Sequence, residues 1–411
     1  MNLLCRGPLV TLMILMSGLM AFLVGDWPQH RGPARDAIAA PQRLLAAWPA
    51  DGPPLMWKQG GNGVGYSGPA IVGNRLVLLG MVGDKEVVIA RSLADGGEVW
   101  RTTIGPVYHN DFGDGPRSTP TIDGAWVYAL GASGDLACLS LATGTVRWQM
   151  NILQTFEGEN ITWGISESPL VVGARIFVTP GGRRATMVAL DKESGKVLWQ
   201  GKDPGREIEP AGYASPIAIT VDGEEQVTTF TSQGAVGFRL ADGAFLWRYD
   251  QVANGTANIA TPLWQGGKLF FTSDYGTGCA LLEPSGSGAK EVYFNKNLKN
   301  HHGGVVANGG YVYGFDASVL TCLELETGAV QWRHRSVGKG SVALADGLLY
   351  LFSENGVVGL ARPVPSGYEE ISRFTLESKS NQKTWTHPVL AHGRLLLRDQ
   401  DQLWCFDVAA R

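Results

Sequence analysis

Clustered positive charge is missing from this chain of 411 residues. Its 34 Lys and Arg are outnumbered by 38 Asp and Glu, which gives a formal net charge of -4. No block of Lys and Arg and no basic stripe interrupts the sequence. Because proteins that bind nucleic acids present clustered basic side chains, nucleic acid is not an expected partner.

Cysteine is scarce, and its spacing excludes several kinds of site. The five cysteines form no CxxC, CxxCH or adjacent pair, so nothing indicates a zinc ribbon or a covalently attached haem. Cys138, Cys279, Cys322 and Cys405 lie in short apolar strand patterns, each at a similar point of a repeat. Such points lie too far apart for the Cα separation of about 5.5 Å that a disulfide needs. We therefore expect four buried free thiols.

Three enzyme signatures are also missing. The chain has no G-x-S-x-G elbow, no P-loop and no H-E-x-x-H motif. The histidines show no H-x-H or H-x-x-x-H spacing, so no metal site is predicted. His301 and His302 are adjacent, and in an extended strand their side chains would point to opposite sides.

Long apolar runs are absent after residue 25. Residues 9–25 form an uncharged apolar run after Arg6, the pattern of a secretory signal peptide with cleavage expected between Ala21 and Gly25. An uncleaved membrane anchor is the alternative, because the run is somewhat long for a signal. Cys5 precedes the run and does not occupy the position of a lipid-bearing cysteine. We expect residues 1–25 to direct the chain to the periplasm or another extracytoplasmic compartment.

Glycine and tryptophan are abundant, with 55 and 13 residues. One phrase recurs five times and places a glycine four residues before a tryptophan. The copies are ADGGEVW, ATGTVRW, ESGKVLW, ADGAFLW and ETGAVQW, which end at Trp100, Trp148, Trp199, Trp247 and Trp332. An apolar strand pattern precedes each copy, so the phrase predicts a tight hairpin whose glycine takes positive φ.

A second pattern, consisting of a strand, a Gly-containing turn and a strand, precedes each hairpin. Pro69, Pro120, Pro169, Pro216 and Pro262 mark it at intervals of 51, 49, 47 and 46 residues. Four strands in about 40–50 residues are typical of a propeller blade, and a ring of blades buries both faces of every sheet. We predict an all-β, eight-bladed β-propeller with four antiparallel strands per blade and the repeated tryptophan packed between neighbouring blades.

The last unit ends one outer strand short, after QLWCFDV at 402–408. The unpaired strand pattern PLMWKQ at 54–59, which contains Trp57, is predicted to complete the last blade and close the ring. The expected organisation is a leader segment at 26–53 followed by a single propeller domain at 54–408.

The unit P-x-x-x-G-x-x-[VL]-Y…L-x-x-L-x-x-x-[TSD]-G-x-x-x-W resembles the pyrroloquinoline-quinone-like (PQQ-like) repeat of eight-bladed, quinoprotein-type propellers. The resemblance spans residues 54–408. The leader at 26–39 is similar to the W-P-x-x-R-G-P opening of many exported bacterial proteins with this repeat. This scaffold hosts dehydrogenases as well as non-catalytic proteins, so the function has to be argued from the site.

The residues just before the inner strands vary, and in a ring they would surround one mouth of the central channel. They are Arg117, Glu167, Tyr213, Asn258, His301, His302, Lys339, Trp385 and His387. A water-filled channel would also be polar at this point. We take Arg117, Tyr213, His301, His302 and His387 as candidates for binding an anionic or hydroxylated ligand.

The resemblance implies a non-catalytic scaffold, similar to the outer-membrane barrel-assembly scaffold lipoproteins. Such a protein needs no cofactor and binds a protein partner, or a polymeric or small ligand, at the channel face. The long loops 105–118 and 153–168 carry Phe112, Phe156 and Trp163, which either contact a partner or fold back over the channel. Carbohydrate binding suits the same aromatic residues. We expect a monomer.

The alternative implied by the resemblance is a PQQ-dependent dehydrogenase acting on alcohols or sugars. Glu167 and Asn258 would then be ligands of Ca²⁺, and Trp163 or Trp385 would form the floor beneath PQQ. The vicinal disulfide and the c-type haem domain of such enzymes have no counterpart in this sequence. The scaffold function, without catalytic residues, is therefore the preferred hypothesis.

Overall fold

The structure is a computed structural model that describes residues 25–411. The predicted signal segment lies outside the described residues, except for Gly25 at its end. Between residues 25 and 411, no helix combines the length and the apolar character needed to cross a membrane.

The described residues form eight antiparallel sheets of four strands each, and these sheets are the blades of a propeller. The first strand is β1 (Leu55–Gln59). Blade 1 contains β2 (Ala70–Val72), β3 (Arg75–Val82), β4 (Lys85–Ser92) and β5 (Glu98–Pro106). Blade 2 contains β6 (Thr121–Asp123), β7 (Trp126–Leu130), β8 (Asp135–Ser140) and β9 (Val146–Asn151). The short helix α1 (Ile152–Phe156) follows blade 2.

The next three blades repeat this order. Blade 3 contains β10 (Leu170–Val172), β11 (Arg175–Val178), β12 (Met187–Asp191) and β13 (Val197–Gly201). Blade 4 contains β14 (Ile217–Val221), β15 (Glu224–Phe230), β16 (Ala235–Arg239) and β17 (Phe245–Tyr249). Blade 5 contains β18 (Leu263–Gln265), β19 (Lys268–Ser273), β20 (Gly278–Pro284) and β21 (Ala289–Asn295).

The remaining blades bring the chain back to its start. Blade 6 contains β22 (Asn300–Asn308), β23 (Tyr311–Asp316), β24 (Val319–Glu324) and β25 (Val330–His334). Blade 7 contains β26 (Gly340–Ala345), β27 (Leu348–Ser353), β28 (Val357–Arg362) and β29 (Glu369–Thr375). Blade 8 contains β30 (Val389–Ala391), β31 (Arg394–Asp399) and β32 (Gln402–Asp407), and its fourth strand is β1. The eight-bladed architecture is thereby confirmed.

Ring closure follows the prediction. β1 pairs antiparallel with β32, and Lys58 lies opposite Trp404. The indole Nε1 of Trp57 donates a hydrogen bond of 3.0 Å to the carbonyl oxygen of Leu93 in blade 1. The first strand therefore completes the last blade and also joins it to the first one.

The repeated tryptophans are wedges between neighbouring blades, as predicted. The indole nitrogens of Trp100 and Trp148 donate to the carbonyl oxygens of Leu141 and Lys192 in the next blade, at 2.9 and 3.1 Å. Trp247 is an exception, because its indole donates to Gln226 within its own blade at 2.9 Å. The four predicted free thiols are all buried, and none is in a disulfide.

The leader does not lie outside the ring. Residues 26–44, called the channel plug below, pass through a series of turns against the inner strands of the ring. Trp27 pairs with Ile71 of β2 through backbone hydrogen bonds of 2.9 and 2.7 Å. Further along the segment, Ile38 bridges Leu344 of β26. The plug therefore contacts the inner strands of two blades on opposite sides of the ring closure.

Arg35 anchors the channel plug to three further blades. Its guanidinium donates to the carbonyl oxygens of Ser168 and Pro216, each at 2.9 Å, and to that of Pro169. It also lies 3.4 Å from the hydroxyl of Thr121. Because Arg35 is only 2% exposed, these bonds satisfy a charge that is buried in the centre of the ring.

Candidate functional site

A cavity of about 360 Å³ lies at one mouth of the central channel. Its walls are the segments that precede the inner strands, and its floor is formed by Trp27, His30 and Arg31 of the channel plug. Phe112 and Tyr275 lie at its rim and are 66% and 47% exposed. The plug thus turns a through-channel into a blind cavity, called the channel-mouth cavity below.

The position of each wall residue follows from the repeat. The residue three positions before each marker proline, and before Pro388 at the same place in blade 8, lines the cavity. These six residues are Tyr66, Arg117, Ser166, Tyr213, Ile259 and Trp385. Glu167 lies one position later, and Asn258 lies one position earlier. Since side chains alternate in extended backbone, a shift of one residue turns a side chain away from the cavity.

Stacked rings form one wall of the cavity. Tyr66 and Trp385 have ring centroids 4.6 Å apart and an interplanar angle of 27°. The guanidinium of Arg117 lies over the other part of this wall, 5.3 Å from the Tyr66 centroid. Glu354 fixes the orientation of Trp385 by accepting a hydrogen bond of 2.9 Å from its Nε1. This wall is therefore flat, aromatic and flanked by a cation.

The two long loops contribute the opposite wall. Trp163 contacts Tyr213 with ring centroids 5.5 Å apart, and it contacts Phe112 edge-on at 5.9 Å. Phe156, in contrast, lies in α1 and is 1% exposed, so of the two alternatives for the loop aromatics it is not available for contact with a partner. The loops therefore fold partly over the channel and leave Phe112 exposed.

His301 and His302 both line the cavity, which corrects the expectation that they point to opposite sides. Their Nδ1 atoms are 3.0 Å apart. The pairing of β22 is irregular between Asn300 and Val305, and Gly304 has a φ of 65°. Strict alternation of side chains is lost in such backbone.

The buried imidazoles carry no charge at neutral pH. Burial, together with Arg31, lowers the pKa of His387 to about 3, and its Nε2 lies 3.0 Å from the carbonyl oxygen of His302. Burial also lowers the pKa of His301 to about 4, with Lys339 acting in the same direction. The pKa of His302 lies well below its usual range because of burial and its neighbour His301.

The fixed charges that face the cavity are positive. Arg31 and Arg117 line it, and none of the described lining residues is Asp or Glu. Neither arginine belongs to an ion pair within 4.0 Å among residues 25–411. Lys339 does not line the cavity, because its Nζ lies 3.5 Å from Glu354. The cavity is therefore aromatic and electropositive.

Glu167 and Asn258 lie behind the wall and have partners within the protein. A carboxylate oxygen of Glu167 accepts a hydrogen bond of 2.5 Å from the backbone N–H of Thr179. Burial raises the pKa of Glu167 to about 7, and the nearby Arg35 opposes this shift. The side-chain amide of Asn258 donates to the carbonyl oxygens of Thr231 and Ser232 at 2.9 and 3.0 Å.

The donors at the mouth do not fit a complex of PQQ with Ca²⁺. Ca²⁺ takes six to eight oxygen ligands and favours carboxylates. The cavity lining supplies no carboxylate, and no group of three or more His, Cys, Asp or Glu in residues 25–411 has the geometry of a metal site. Of the four predicted cofactor residues, only Trp163 and Trp385 face the cavity.

Three residues of the site were missed from the sequence. Tyr66 was available, because it precedes Pro69 by the same three residues that separate Arg117 from Pro120. The floor residues His30 and Arg31 belong to the leader, which does not repeat, so no periodic signal identified them.

The comparisons with known proteins agree with this architecture. The family described as outer membrane protein assembly factor BamB matches residues 83–334. The outer membrane protein assembly factor BamB of Yersinia pestis is 25% identical over 324 residues, which are 74% of this chain and 76% of that protein.

Two solved structures share the fold. BamB from Moraxella catarrhalis has a TM-score of 0.60 at 16% identity, covering 86% of this chain and 97% of that one. The quinohemoprotein alcohol dehydrogenase from Comamonas testosteroni has a TM-score of 0.65 at 14% identity, covering 94% and 81%. Because the family match extends over more than half of the 411 residues, this chain belongs to the PQQ-like repeat family described as outer membrane protein assembly factor BamB.

Proposed function

We propose that the protein is an exported, non-catalytic propeller that acts as a protein-interaction scaffold in outer-membrane protein assembly. The family match over residues 83–334 carries this proposal. The apolar run at 9–25, with the pattern of a signal peptide, supports a location in the periplasm. Ring closure and the channel plug provide a rigid body on which loops can be held in place.

The loop 105–118 is the proposed contact surface. Phe112 is 66% exposed and is backed by the edge of Trp163, so its ring is held in place without being covered. Nearby, Nδ1 of His109 lies 3.1 Å from the carboxylate of Asp114, and Asp114 accepts a hydrogen bond of 2.9 Å from the backbone of Asn110. An ordered loop that presents one aromatic ring is a typical anchor of a protein interface.

Site-specific crosslinking tests the proposal. A photoreactive phenylalanine analogue replaces Phe112 in the full chain, which is expressed in its own host. The control carries the same analogue at Leu198 in β13, which is 49% exposed on an outer strand. We expect position 112, and not position 198, to crosslink to a component of the outer-membrane assembly machinery. Equal crosslinking at both positions, or none to such a component, would contradict the proposal.

The dehydrogenase alternative is tested separately. The purified chain is mixed with PQQ and Ca²⁺, and dye reduction is followed with a panel of alcohols and sugars. We expect no turnover, because the cavity wall offers no carboxylate to hold Ca²⁺ or to act as a base. Saturable dye reduction would favour the dehydrogenase over the scaffold.

A further inference from the structure

We infer that the channel-mouth cavity binds an organic anion, namely a flat apolar group that carries a carboxylate. This inference concerns a small-ligand site and stands independently of the proposed scaffold function. It rests on the shape of the cavity, on two arginines with no carboxylate of the described chain within 4.0 Å, and on buried nitrogen atoms that lack a protein partner.

The size and walls of the cavity suit a flat apolar body. Its volume of about 360 Å³ lies within the range of small-molecule sites. The stacked pair of Tyr66 and Trp385 forms one wall, and Trp163 with Tyr213 forms the other. Aromatic rings favour offset-stacked or edge-on contacts with a second ring, so a planar group between these walls gains specific contacts.

Arg117 supplies the charge for the carboxylate. Its two terminal nitrogens each donate one hydrogen bond, to the carbonyl oxygens of Gly115 and Gly113 at 2.9 and 2.8 Å. A guanidinium has five N–H donors, so these bonds leave donors available. They also hold the side chain in one orientation. No described carboxylate pairs with it within 4.0 Å, and a bound anion would supply the missing charge.

Several buried polar atoms around the cavity have no hydrogen-bond partner within residues 25–411. Arg31 is 3% exposed, and its Nη1 has no hydrogen-bond partner among the described residues. Nε2 of His302 and Nδ1 of His387 are also without a partner there. Because Nε2 of the neutral His387 donates to the carbonyl oxygen of His302, its Nδ1 is an acceptor, which a donor on a ligand would satisfy. Leaving a buried polar group without a partner is unfavourable, so native proteins keep few such groups. Three of them around one cavity indicate a site shaped for a polar ligand.

Gly304 makes room for this floor. Its φ is 65°, and a Cβ atom at this position would overlap Nη1 of Arg31 and come within 3.4 Å of the His387 ring. Any larger residue would push the guanidinium out of place. The backbone is therefore built around a buried cation, and no carboxylate of residues 25–411 lies within 4.0 Å of it.

Binding of 2-naphthoate, with 2-naphthamide as its uncharged counterpart, tests the inference. Titration calorimetry on the full chain should show saturable binding of the acid and at least roughly tenfold weaker binding of the amide. Arg117→Gln should remove most of this discrimination, and Arg117→Lys should keep part of it because the charge remains. Arg147→Gln is the matched control, since Arg147 also lies over an aromatic ring, that of Trp126 at 4.4 Å, but outside the cavity.

The outcomes are distinct. Equal binding of acid and amide would overturn the anion site, as would absence of binding at millimolar concentration or equal effects of the Arg117 and Arg147 variants. The folding of each variant is checked by its thermal transition. A tripeptide ending in phenylalanine, with a free or an amidated C-terminus, is then used as a competitor. Displacement by the free acid alone supports the same chemistry and assigns its source to a chain terminus.

Discussion

Gly144 lies directly beneath the indole ring of Trp100. A Cβ atom on this glycine would lie 2.6 Å from Cε3 of Trp100, which is closer than real Cβ contacts. The same relationship joins Gly195 to Trp148. The copy of the recurring phrase that ends at Trp148 therefore takes part in two Gly–Trp contacts, one with the preceding blade and one with the next. Its glycine receives the ring of the preceding blade, and its tryptophan covers the glycine of the next.

Gly144→Ala is expected to lower the free energy of unfolding by about 2–4 kcal/mol. The substitution strains a residue whose φ is 72° and also displaces the indole ring. Chemical denaturation followed by tryptophan fluorescence measures the loss. Gly173→Ala is the control. Gly173 has a φ of 59°, but a Cβ atom there would meet no other atom within 4 Å, so only the backbone strain of about 1–2 kcal/mol applies. Equal losses would show that the Gly–Trp contact contributes nothing.

Trp57→Ala is expected to destabilise the ring by about 3–5 kcal/mol, the cost of removing a large buried aromatic side chain. Trp57 is 8% exposed and bonds to Leu93 across the closing blade interface. Trp57→Phe keeps most of the packing and loses that hydrogen bond, so about 1 kcal/mol is expected. If the two variants lost the same amount in urea denaturation, the wedge would matter less than its hydrogen bond.

Arg35→Met is expected to cost about 2–4 kcal/mol, because several buried carbonyl oxygens lose their donor at once. Arg206→Met is the control, since Arg206 forms an exposed ion pair of 3.0 Å with Asp250 and should contribute less than about 1 kcal/mol. Denaturant midpoints of the two variants measure the difference. A small effect at Arg35 would mean that the channel plug is held mainly by its backbone pairing.

Glu167→Gln is expected to change how stability depends on pH. Burial raises the pKa of Glu167 to about 7 in the folded chain, from an ordinary value of 4.5. Between these two pH values the folded state binds a proton that the unfolded state has lost. The contribution of this carboxyl to the free energy of unfolding therefore falls as pH rises from 4.5, and the full loss is reached above pH 7. The variant should therefore gain about 1–3 kcal/mol relative to the wild type between about pH 5 and pH 8.

Unfolding free energies at about pH 5 and pH 8 measure this gain. Glu207→Gln, at an exposed carboxylate that pairs with Arg183, is the control and should leave the difference between the two pH values unchanged. An unchanged difference in Glu167→Gln as well would show that Glu167 is ionised in the folded chain throughout this range.

The repeat made the fold predictable from the sequence. Hydrophobic alternation, the glycine of each turn and the spacing of the marker prolines all indicate the same four-stranded unit. Blade 8 lacks an outer strand in its own repeat unit, and the strand around Trp57 has no partner near it in the sequence. The ring can therefore close only if these two pair, and β1 pairs with β32 as expected.

The site was predictable only where it follows the repeat. Arg117, Tyr213 and Trp385 occupy the same place in their units, and all three face the cavity. Glu167 is offset by one residue, which turns it toward Thr179. The position of the channel plug could not be predicted from the sequence. Its contacts join segments far apart in the chain, and many of them are to backbone carbonyl oxygens, which every residue carries whatever its side chain.

The pairing of β1 with β32 also has a consequence for the rate of folding. Residues near position 55 find their partners only after those near position 406 are available, so the most local and the most distant contacts of the chain meet in one sheet. Structures dominated by contacts between distant residues fold slowly. A chain with this topology therefore cannot close its ring until the residues near position 406 are present to pair with β1.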